Sequence, residues 1–157
     1  MSEFLVLPLA ERPQHVPVLA EWHHREWHRL YQDWTLAVAT AELLDHARRR
    51  TLPTTLVLET SAGDLLGSVS VVVEDAPELA DYGTPWLASL YVHPDARMCG
   101  HGARLVAAAV ALARRERVER LHLFTPGQAA FYARLGWQAR AQVQLGGQRV
   151  DLMEIVP

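Results

Sequence analysis

Two glycines flanked by an arginine and an apolar run are the residues in this sequence whose types and spacing most clearly suggest chemistry. They lie in RMCGHGARL, where Arg97, Gly100 and Gly102 precede an alanine-rich segment that predicts a helix. The first turn of a helix exposes N–H groups without an intrahelical partner, and its dipole favours negative charge. Because glycine has no Cβ, a phosphate can approach these groups closely. The pattern fits a phosphate cradle, and it also fits an ordinary turn between a strand and a helix.

Two other phosphate-binding motifs do not match this stretch. GHGARL lacks the third glycine of the dinucleotide-binding fingerprint and does not lie in an early βαβ unit. No GK[ST] triplet follows it, so it is not a P-loop. Since a pair of glycines is weak evidence by itself, the choice between a cradle and a turn depends on the surrounding residues.

A second motif, FYARLGW at residues 131–137, lies downstream, after a segment LHLFT that predicts a strand. Together, LYVHPDARMCGHGARLV and FYARLGW resemble the two motifs of the GNAT acetyltransferase superfamily. In that superfamily a strand runs into an Arg/Gln-x-x-Gly-x-Gly/Ala loop and then a long helix. Arg97, Gly100 and Gly102 occupy the three defining positions. Two motifs in the expected order are more specific than either alone, and the resemblance favours the cradle.

The resemblance implies that acetyl-CoA binds where the fourth and fifth strands separate. The pantetheine arm would pair with the fourth strand at Leu90, Tyr91 and Val92. Backbone N–H groups of residues 97–103 would hold the pyrophosphate. The implied loop residues are Arg97, Met98, Cys99, Gly100, His101, Gly102 and Ala103.

Three of these loop residues depart from the family pattern. Met98 and Cys99 stand where glycine or a basic residue is common, although the backbone donors persist after such changes. His101 stands where lysine or arginine is frequent, and it either contacts phosphate or lies in solvent. Cys99 precedes a helix N-terminus, which can activate a thiol, but no partner base is evident nearby, and a small residue tolerated in a turn is the alternative.

Acyl transfer from a thioester requires a group that stabilises the leaving thiolate. The resemblance assigns this role to Tyr132, whose phenol can donate a hydrogen bond to sulfur. The alternative is a tyrosine that packs beside Phe131 in the helix. A backbone N–H of the fourth strand near Val92 would polarise the thioester carbonyl.

The proton acceptor for the attacking amine cannot be selected by spacing. Five residues are candidates by type alone: Glu21, Glu26, Asp33, Asp81 and His93. His93 precedes a proline at the strand end, close to the implied cofactor site, but such turn histidines are mostly structural.

The segment EWHHREWHRLYQDW concentrates aromatic and imidazole side chains. His24 and His28 have the i, i+4 spacing that metal sites use, but no third ligand follows, and no metal is predicted. In the GNAT fold this helix and the following loop border the acceptor channel. The resemblance therefore implies aromatic substrate-binding residues, with core packing as the alternative for each. They are Trp27, Tyr31, Trp34 and, at the start of the fourth strand, Trp86.

Composition restricts the class of protein. The chain has 157 residues, of which 50% are hydrophobic and 21% charged, so we expect one globular domain over residues 1–157. A net charge of -3 gives no general attraction to nucleic acid or to an anionic membrane surface. One cysteine forms no internal disulfide, and the N-terminal apolar patch is too short for a signal peptide. We expect a cytoplasmic protein, as a monomer or homodimer.

The elements that must position these residues follow from hydrophobic periodicity. The predicted strands are residues 4–9, TTLVLET, LLGSVSVVVED, PWLASLYV, RLHLFTP and the two arms of QARAQVQLGGQRVDLMEIV. The predicted helices are HVPVLAEWHHREWHRLY, residues 35–49, ARLVAAAVALARRE and GQAAFYARLGW. Their order is β-α-α-β-β-β-α-β-α-β-β. The resemblance implies the GNAT-type α/β fold, a mixed, mostly antiparallel sheet of about seven strands with about four helices, splayed between strands 4 and 5.

The sequence therefore predicts an acyltransferase, an N-acetyltransferase that moves the acetyl group of acetyl-CoA to a primary amine by direct attack on the thioester. A small-molecule amine is the favoured acceptor. A protein N-terminus or a lysine remains an alternative, as does a CoA-binding module without turnover.

Overall fold

The computed structural model describes residues 3–157, and its backbone is organised around one sheet of seven strands. The strands are β1 (Phe4–Pro8), β2 (Thr54–Thr60), β3 (Leu65–Val72), β4 (Trp86–Val92), β5 (Leu121–Thr125), β6 (Gln138–Leu145) and β7 (Gln148–Ile155). The α-helices are α1 (Val16–Trp27), α2 (Leu36–His46), α3 (His101–Arg115) and α4 (Ala129–Arg134). Short 3-10 turns cover Leu9–Glu11, Pro13–His15, Pro77–Tyr82 and Pro94–Ala96. The predicted fold class and order of elements are confirmed.

The strands follow the order β1-β2-β3-β4-β5-β7-β6, and neighbours pair antiparallel except β4 and β5. The parallel pair is joined at one register position, Trp86 opposite His122. Beyond that position the described strands separate, so the rest of β4 is not covered by β5. This separation opens a cleft in the middle of the sheet.

The helices cover both faces of the sheet, as the alternation of side chains along β2 indicates. Leu56 and Leu58 pack in one core with side chains of α3 and α4, whereas Val57 packs in another with side chains of α1 and α2. Because successive strand residues point to opposite faces, the two helix pairs lie on opposite sides. The site between β4 and β5 is therefore bordered by both layers.

A β-bulge interrupts the pairing of β4 with β3 next to the cleft. Ser68 pairs with Tyr91 and Ser70 pairs with Ala88, so two residues of β4 oppose one residue of β3. Ser89 in the bulge has a φ of +55°, a left-handed conformation that is uncommon for a residue with a Cβ. Such a bulge bends a strand and changes the direction of its backbone groups, here on the strand that borders the opening.

Local signals in the sequence explain where most of the helices begin and end. The Thr35 hydroxyl caps α2 by accepting from the backbone N–H of Val38 at 3.1 Å. Gly136, with a φ of +98°, follows the end of α4 in the left-handed conformation expected after a helix. The second helix is shorter than the predicted residues 35–49, because its last residues form i to i+3 turns: Arg48 donates to Asp45, and Arg49 to His46. Within residues 3–157, no helix is long and apolar enough to cross a membrane.

Candidate active site

The opening between β4 and β5 forms a cleft of about 720 Å³. It is lined by the second half of β4, the loop into α3, the first turn of α3, the end of β5 and α4. The predicted cofactor-binding residues on its wall are Leu90, Tyr91, Val92, Arg97, Met98, Gly100, His101, Gly102 and Ala103. Cys99 is not on this wall; it is exposed, with its Sγ 3.4 Å from the carbonyl oxygen of Arg97. Elements distant in the chain thus meet at the place that the motifs indicate.

The two glycines of the loop serve different purposes. Gly100 precedes α3 with a φ of +80°, and a Cβ placed on it would have no atom within 4 Å. Its backbone therefore needs glycine, and open space lies beside the helix N-terminus. Gly102 lies against α4, since a Cβ there would be 3.3 Å from Cζ of Phe131. Absence of a side chain at Gly102 thus lets α3 and α4 approach, a role that the motif alone does not reveal.

Arg97 is held at the end of β4 by two contacts. Its Nε donates to the carbonyl oxygen of Val92 at 2.8 Å, and its guanidinium lies 5.6 Å from the ring centroid of Tyr91. The side chain is exposed on the cleft wall, so an anion can reach its terminal Nη groups. A planar guanidinium fixed in this way is well suited to a phosphate oxygen.

His101 is buried, which corrects the alternative that it lies in solvent. Its ring is 4% exposed and packs edge-on against Phe4 at 4.5 Å between centroids. Nδ1 is buried and has no hydrogen-bond partner among the described residues. Buried polar atoms are rarely left unpaired, so this nitrogen is an exception in a residue that lies on the cleft wall.

Tyr132 lines the cleft and is 7% exposed. Its ring packs against Phe131 and Trp137, with centroids 5.0 and 6.0 Å away. Burial raises the pKa of Tyr132 far above its ordinary value, because the charged phenolate loses its hydration. The hydroxyl therefore keeps its proton and can act as a hydrogen-bond donor.

A second cavity of about 530 Å³ adjoins the cleft. The residues that line both are Trp27, Tyr31, Asp75, Ala88 and Ser89. The predicted substrate-binding residues Trp27, Tyr31 and Trp34 all line this second cavity. Its position beside the bulge of β4 gives a path from solvent to the middle of the cleft on the side of α1 and α2.

Trp86 does not occupy the predicted position on a substrate wall. It is 1% exposed, packs with Leu79 and Leu152, and is not among the residues that line either cavity. Its indole nitrogen donates to the carbonyl oxygen of Gly83 at 2.8 Å. The reason is its place at the one β4–β5 register pair, where the sheet is closed.

Asp75 lies at the junction of the two cavities, and sequence reasoning missed it. The Tyr31 hydroxyl donates to its Oδ1 at 2.7 Å. Burial raises the pKa of Asp75 to about 7; the bond from Tyr31 lowers it and the charge of Glu42 raises it further. Burial likewise raises the pKa of Tyr31 well above its ordinary value. The sequence shows an acidic pair after β3, but it does not show that Asp75 has a special environment. That environment depends on the fold, which brings Tyr31 to Asp75 from 44 positions away.

The five base candidates from the sequence do not converge. Glu26 lines the cleft and Asp33 lines the second cavity, both as exposed side chains. Glu21 and Asp81 are exposed and are not among the residues that line either cavity. His93 accepts a hydrogen bond at Nδ1 from the backbone N–H of Asp95, and its ring contacts Trp22 in a tilted arrangement, 5.3 Å between centroids. This hydrogen bond holds its ring in the turn after β4.

Two histidines on the wall of the second cavity are held in the neutral form. Nε2 of His23 is 2.8 Å from the Ser68 hydroxyl, and burial lowers the pKa of His23 to about 3. Nδ1 of His46 is 2.9 Å from the Thr55 hydroxyl, and burial lowers its pKa as well. Across residues 3–157, no group of three or more His, Cys, Asp or Glu side chains could hold a metal ion.

The open sheet, the glycine before α3 and the buried tyrosine on the cleft wall together define the class of acyl-transfer folds that the two motifs resemble. The model of the acetyltransferase (GNAT) family matches residues 16–137. The chain belongs to this family.

Solved structures with the same fold cover almost the whole chain. A proposed acetyltransferase from Salmonella typhimurium, yncA, solved with acetyl-CoA, is 22% identical, with 99% of this chain and 94% of that chain covered and a TM-score of 0.68. A proposed acetyltransferase from Acinetobacter baylyi ADP1 is 16% identical, with coverages of 98% and 92% and a TM-score of 0.74. An aminoglycoside 6'-N-acetyltransferase complexed with coenzyme A is 13% identical, with coverages of 97% and 96% and a TM-score of 0.72. No curated protein sequence matches the chain significantly.

Proposed function

We propose that this protein is an acetyl-CoA-dependent N-acetyltransferase that moves the acetyl group directly to the primary amine of a small molecule. The observation that carries the proposal is one continuous cleft that joins the N-terminus of α3, the hydroxyl of Tyr132 and the carboxyl group of Asp75. Membership of the acetyltransferase family supports it. So do the structural neighbours that contain acetyl-CoA or coenzyme A.

The residues on the cleft wall fit the cofactor from its phosphates to its thioester. Backbone N–H groups of residues 97–103 would hold the pyrophosphate, where Gly100 leaves open space and Arg97 supplies a positive charge. The pantetheine arm would lie along Leu90, Tyr91 and Val92, where β4 has no register partner in β5.

The acceptor amine would enter through the second cavity and reach the thioester at the junction. Asp75 accepts a proton from the ammonium group and passes it to solvent, which leaves the neutral amine as nucleophile. A backbone N–H of β4 between the bulge and Val92 polarises the thioester carbonyl. As the C–N bond forms and the C–S bond breaks, the Tyr132 hydroxyl donates a hydrogen bond to the sulfur. Of the two protons on the attacking nitrogen, one stays on the amide and the other is released and balanced by the proton that the thiolate takes up, so the products are an amide and free coenzyme A.

A small molecule is the favoured acceptor because the second cavity is a pocket of about 530 Å³, within the usual range for small-molecule sites.

Binding of acetyl-CoA and turnover can be tested separately. Acetyl-CoA at a hundred times its dissociation constant should add about 2.7 kcal/mol to the free energy of unfolding. Release of free thiol should then depend on an added amine, and mass spectrometry should find the amine heavier by one acetyl group.

Three results would contradict the proposal in different ways. Stabilisation by acetyl-CoA without transfer to any amine, N-terminal peptide or lysine peptide would indicate a binding module. Transfer to peptides alone would indicate a protein acetyltransferase. A free energy of unfolding that acetyl-CoA does not change would show that the protein does not bind acetyl-CoA.

A further inference from the structure

The charges around the second cavity discriminate between classes of amine. Four carboxylate side chains line it: Asp33, Glu42, Glu74 and Asp75. No arginine is among its lining residues, and the chain contains no lysine. The two histidines on the wall, His23 and His46, are neutral at pH 7 because burial lowers their pKa. An acceptor with its own carboxylate would therefore find no cation to pair with, which is costly in a partly desolvated site.

The walls of the cavity are aromatic and aliphatic. The rings of Tyr31 and Trp34 meet edge-on at 5.4 Å between centroids, and Trp27 lies on the side of the cleft. Their aliphatic counterparts are Val38, Ala39, Leu43, Pro53 and Val72. The three aromatic side chains are half-buried, and Ala39 and Leu43 are buried. This part of the lining offers apolar contact to the body of a ligand, beside the carboxylates and the polar side chains of Gln32, Ser70 and Ser89.

One of the four carboxylates of the second cavity, Asp75, differs from the other three in its burial and in its hydrogen bond. Asp75 is half-buried at the junction with the cleft and is fixed by the Tyr31 hydroxyl. Asp33, Glu42 and Glu74 are exposed side chains. Ion pairs between solvent-exposed groups contribute little net free energy, so the attraction of these three side chains for a second cation is weak. Burial of an aromatic group, in contrast, is favourable in proportion to the apolar area removed from water.

We infer that the acceptor is a monoamine with an aromatic body and no carboxylate, an arylalkylamine whose ammonium group meets Asp75 and whose ring lies between Trp27, Trp34 and Leu43. This inference rests on the proposed acetyl transfer, because it assigns the second cavity to the acceptor. It goes beyond that proposal by excluding amino acids and by ranking an apolar body above a second positive charge.

Matched amines separate the contributions. Phenethylamine and phenylalanine differ by one carboxylate, and phenethylamine and ethylamine differ by the ring. We expect kcat/KM for phenethylamine to exceed that for phenylalanine by at least about 100-fold. It should exceed that for ethylamine by about 10- to 100-fold. The diamine 1,6-diaminohexane tests the competing cation-rich acceptor, and it should be poorer than phenethylamine.

A change in the wall checks that the ring occupies this cavity. Trp34→Ala should lower the ratio of kcat/KM for phenethylamine to that for ethylamine by about tenfold, and Trp34→Phe should restore most of it. Thermal unfolding and the KM for acetyl-CoA of both variants show whether the fold and the cofactor site persist. A ratio that Trp34→Ala leaves unchanged would overturn the placement of the ring.

The outcomes distinguish this inference from the function on which it rests. If 1,6-diaminohexane or phenylalanine is the better substrate, the acceptor class is wrong and the acetyltransferase stands. If peptides alone are acetylated, the small-molecule acceptor is wrong. If acetyl-CoA binds and no amine releases thiol, the acetyltransferase itself is wrong, and the acceptor class with it.

Discussion

The hydroxyl of Tyr132 can stabilise a leaving thiolate by donating a hydrogen bond, and burial decides against a full proton transfer. The residue lies in the larger core and on the cleft wall at once. Burial raises its pKa far above the ordinary value of a phenol, whereas a thiol ionises at about 8.5. Transfer of the proton to the thiolate is therefore uphill. A hydrogen bond from a positioned donor stabilises the charge without it.

Replacement of Tyr132 by phenylalanine removes this donor and keeps the ring. We expect kcat to fall by about 100-fold, a usual loss for one positioned donor. The dissociation constant of acetyl-CoA should stay the same, because backbone groups of the α3 loop hold its phosphates. Steady-state thiol release and calorimetric titration measure the two quantities. A kcat equal to that of the unchanged protein would leave Tyr132 with a packing role alone.

The raised pKa of Asp75 predicts how kcat falls on the acid side of its pH profile. Its pKa is raised to about 7, so the carboxylate that accepts a proton is lost as the pH falls through 7, and kcat should fall with it. The other titratable groups that line the second cavity are Tyr31, Asp33, Glu42, Glu74, His23 and His46. Of these, Glu42 raises the pKa of Asp75 by its negative charge.

Two substitutions test this assignment with the same measurement. Asp75→Asn should abolish the inflection near pH 7 and lower kcat by about 100-fold at pH 8. Glu42→Gln should move the inflection to lower pH while kcat on its plateau persists, because it removes a neighbouring charge and leaves the base. An inflection near pH 7 that survives in Asp75→Asn would assign the limb to another group.

At the scale of elements, the loop before α3 combines a backbone requirement with a binding role. Gly100 and Gly63 both have left-handed backbones, with φ of +80° and +91°, and a Cβ on either would have no atom within 4 Å. Gly63 lies in the turn between β2 and β3, and it is not among the residues that line the cleft or the second cavity. The two glycines therefore have similar backbones, but only Gly100 lies at the proposed phosphate-binding site.

Alanine at each position separates the two effects. Gly63→Ala and Gly100→Ala should each lower the free energy of unfolding by about 1 kcal/mol, because an L-residue is strained in this conformation. Gly100→Ala alone should weaken acetyl-CoA binding, by about tenfold or more, because its Cβ projects into the space that the phosphates need. Chemical denaturation and calorimetry measure these changes. Equal affinities in the two variants would show that the phosphates lie elsewhere.

Elements whose sequence signals lie within one segment were predictable, and features that depend on contacts between segments were not. The β2–β3 hairpin and the helix α3 were predicted because alternation, turn residues and apolar periodicity lie within each segment. The hairpin of β6 and β7 was located by Gly146 and Gly147, with φ of +57° and +78°. The burial of Trp86 was not predictable in this way, because it depends on where β5 begins to separate from β4.

The residues of the candidate site show the same difference between local signals and contacts between distant segments. The loop of residues 97–103 and Tyr132 carry their signals in short motifs, and the fold places them on one cleft. Asp75 has no motif, since its environment is made by Tyr31 from the segment after α1. His101 appeared equally compatible with solvent, because its burial depends on Phe4 of β1, nearly a hundred residues earlier. Contacts between distant segments create these environments, and hydrophobic periodicity does not encode them.

At the scale of the whole molecule, a buried polar contact joins the α1–α2 layer to the sheet. Ser68 of β3 donates to the carbonyl oxygen of Ser89 at 3.3 Å, so its oxygen is left to accept from Nε2 of His23 at 2.8 Å. His23 is 3% exposed, and burial lowers its pKa to about 3, well below the ordinary 6.5. The neutral imidazole thus connects α1 to the bulge of β4. A second proton on this ring would place a charge in the interior.

This contact predicts that His23 makes a destabilising contribution to the free energy of unfolding in mild acid, which a variant without the imidazole isolates. The unfolded chain takes up the proton near pH 6.5 and the folded chain near pH 3, so the folded state is penalised progressively as the pH falls between them. His23 alone should lower the free energy of unfolding by about 2 kcal/mol between pH 7 and pH 5. Denaturant titrations at both values measure the difference. His23→Gln keeps a donor for Ser68 and removes the titration, so its loss over the same interval should be smaller by that amount. The slope that remains contains destabilising contributions from His46 and His122, whose pKa values burial also lowers. Asp75 contributes with the opposite sign, because burial raises its pKa to about 7 and its protonation favours the folded state. An equal loss in His23→Gln and the unchanged protein would mean that the His23 proton is not excluded by the fold.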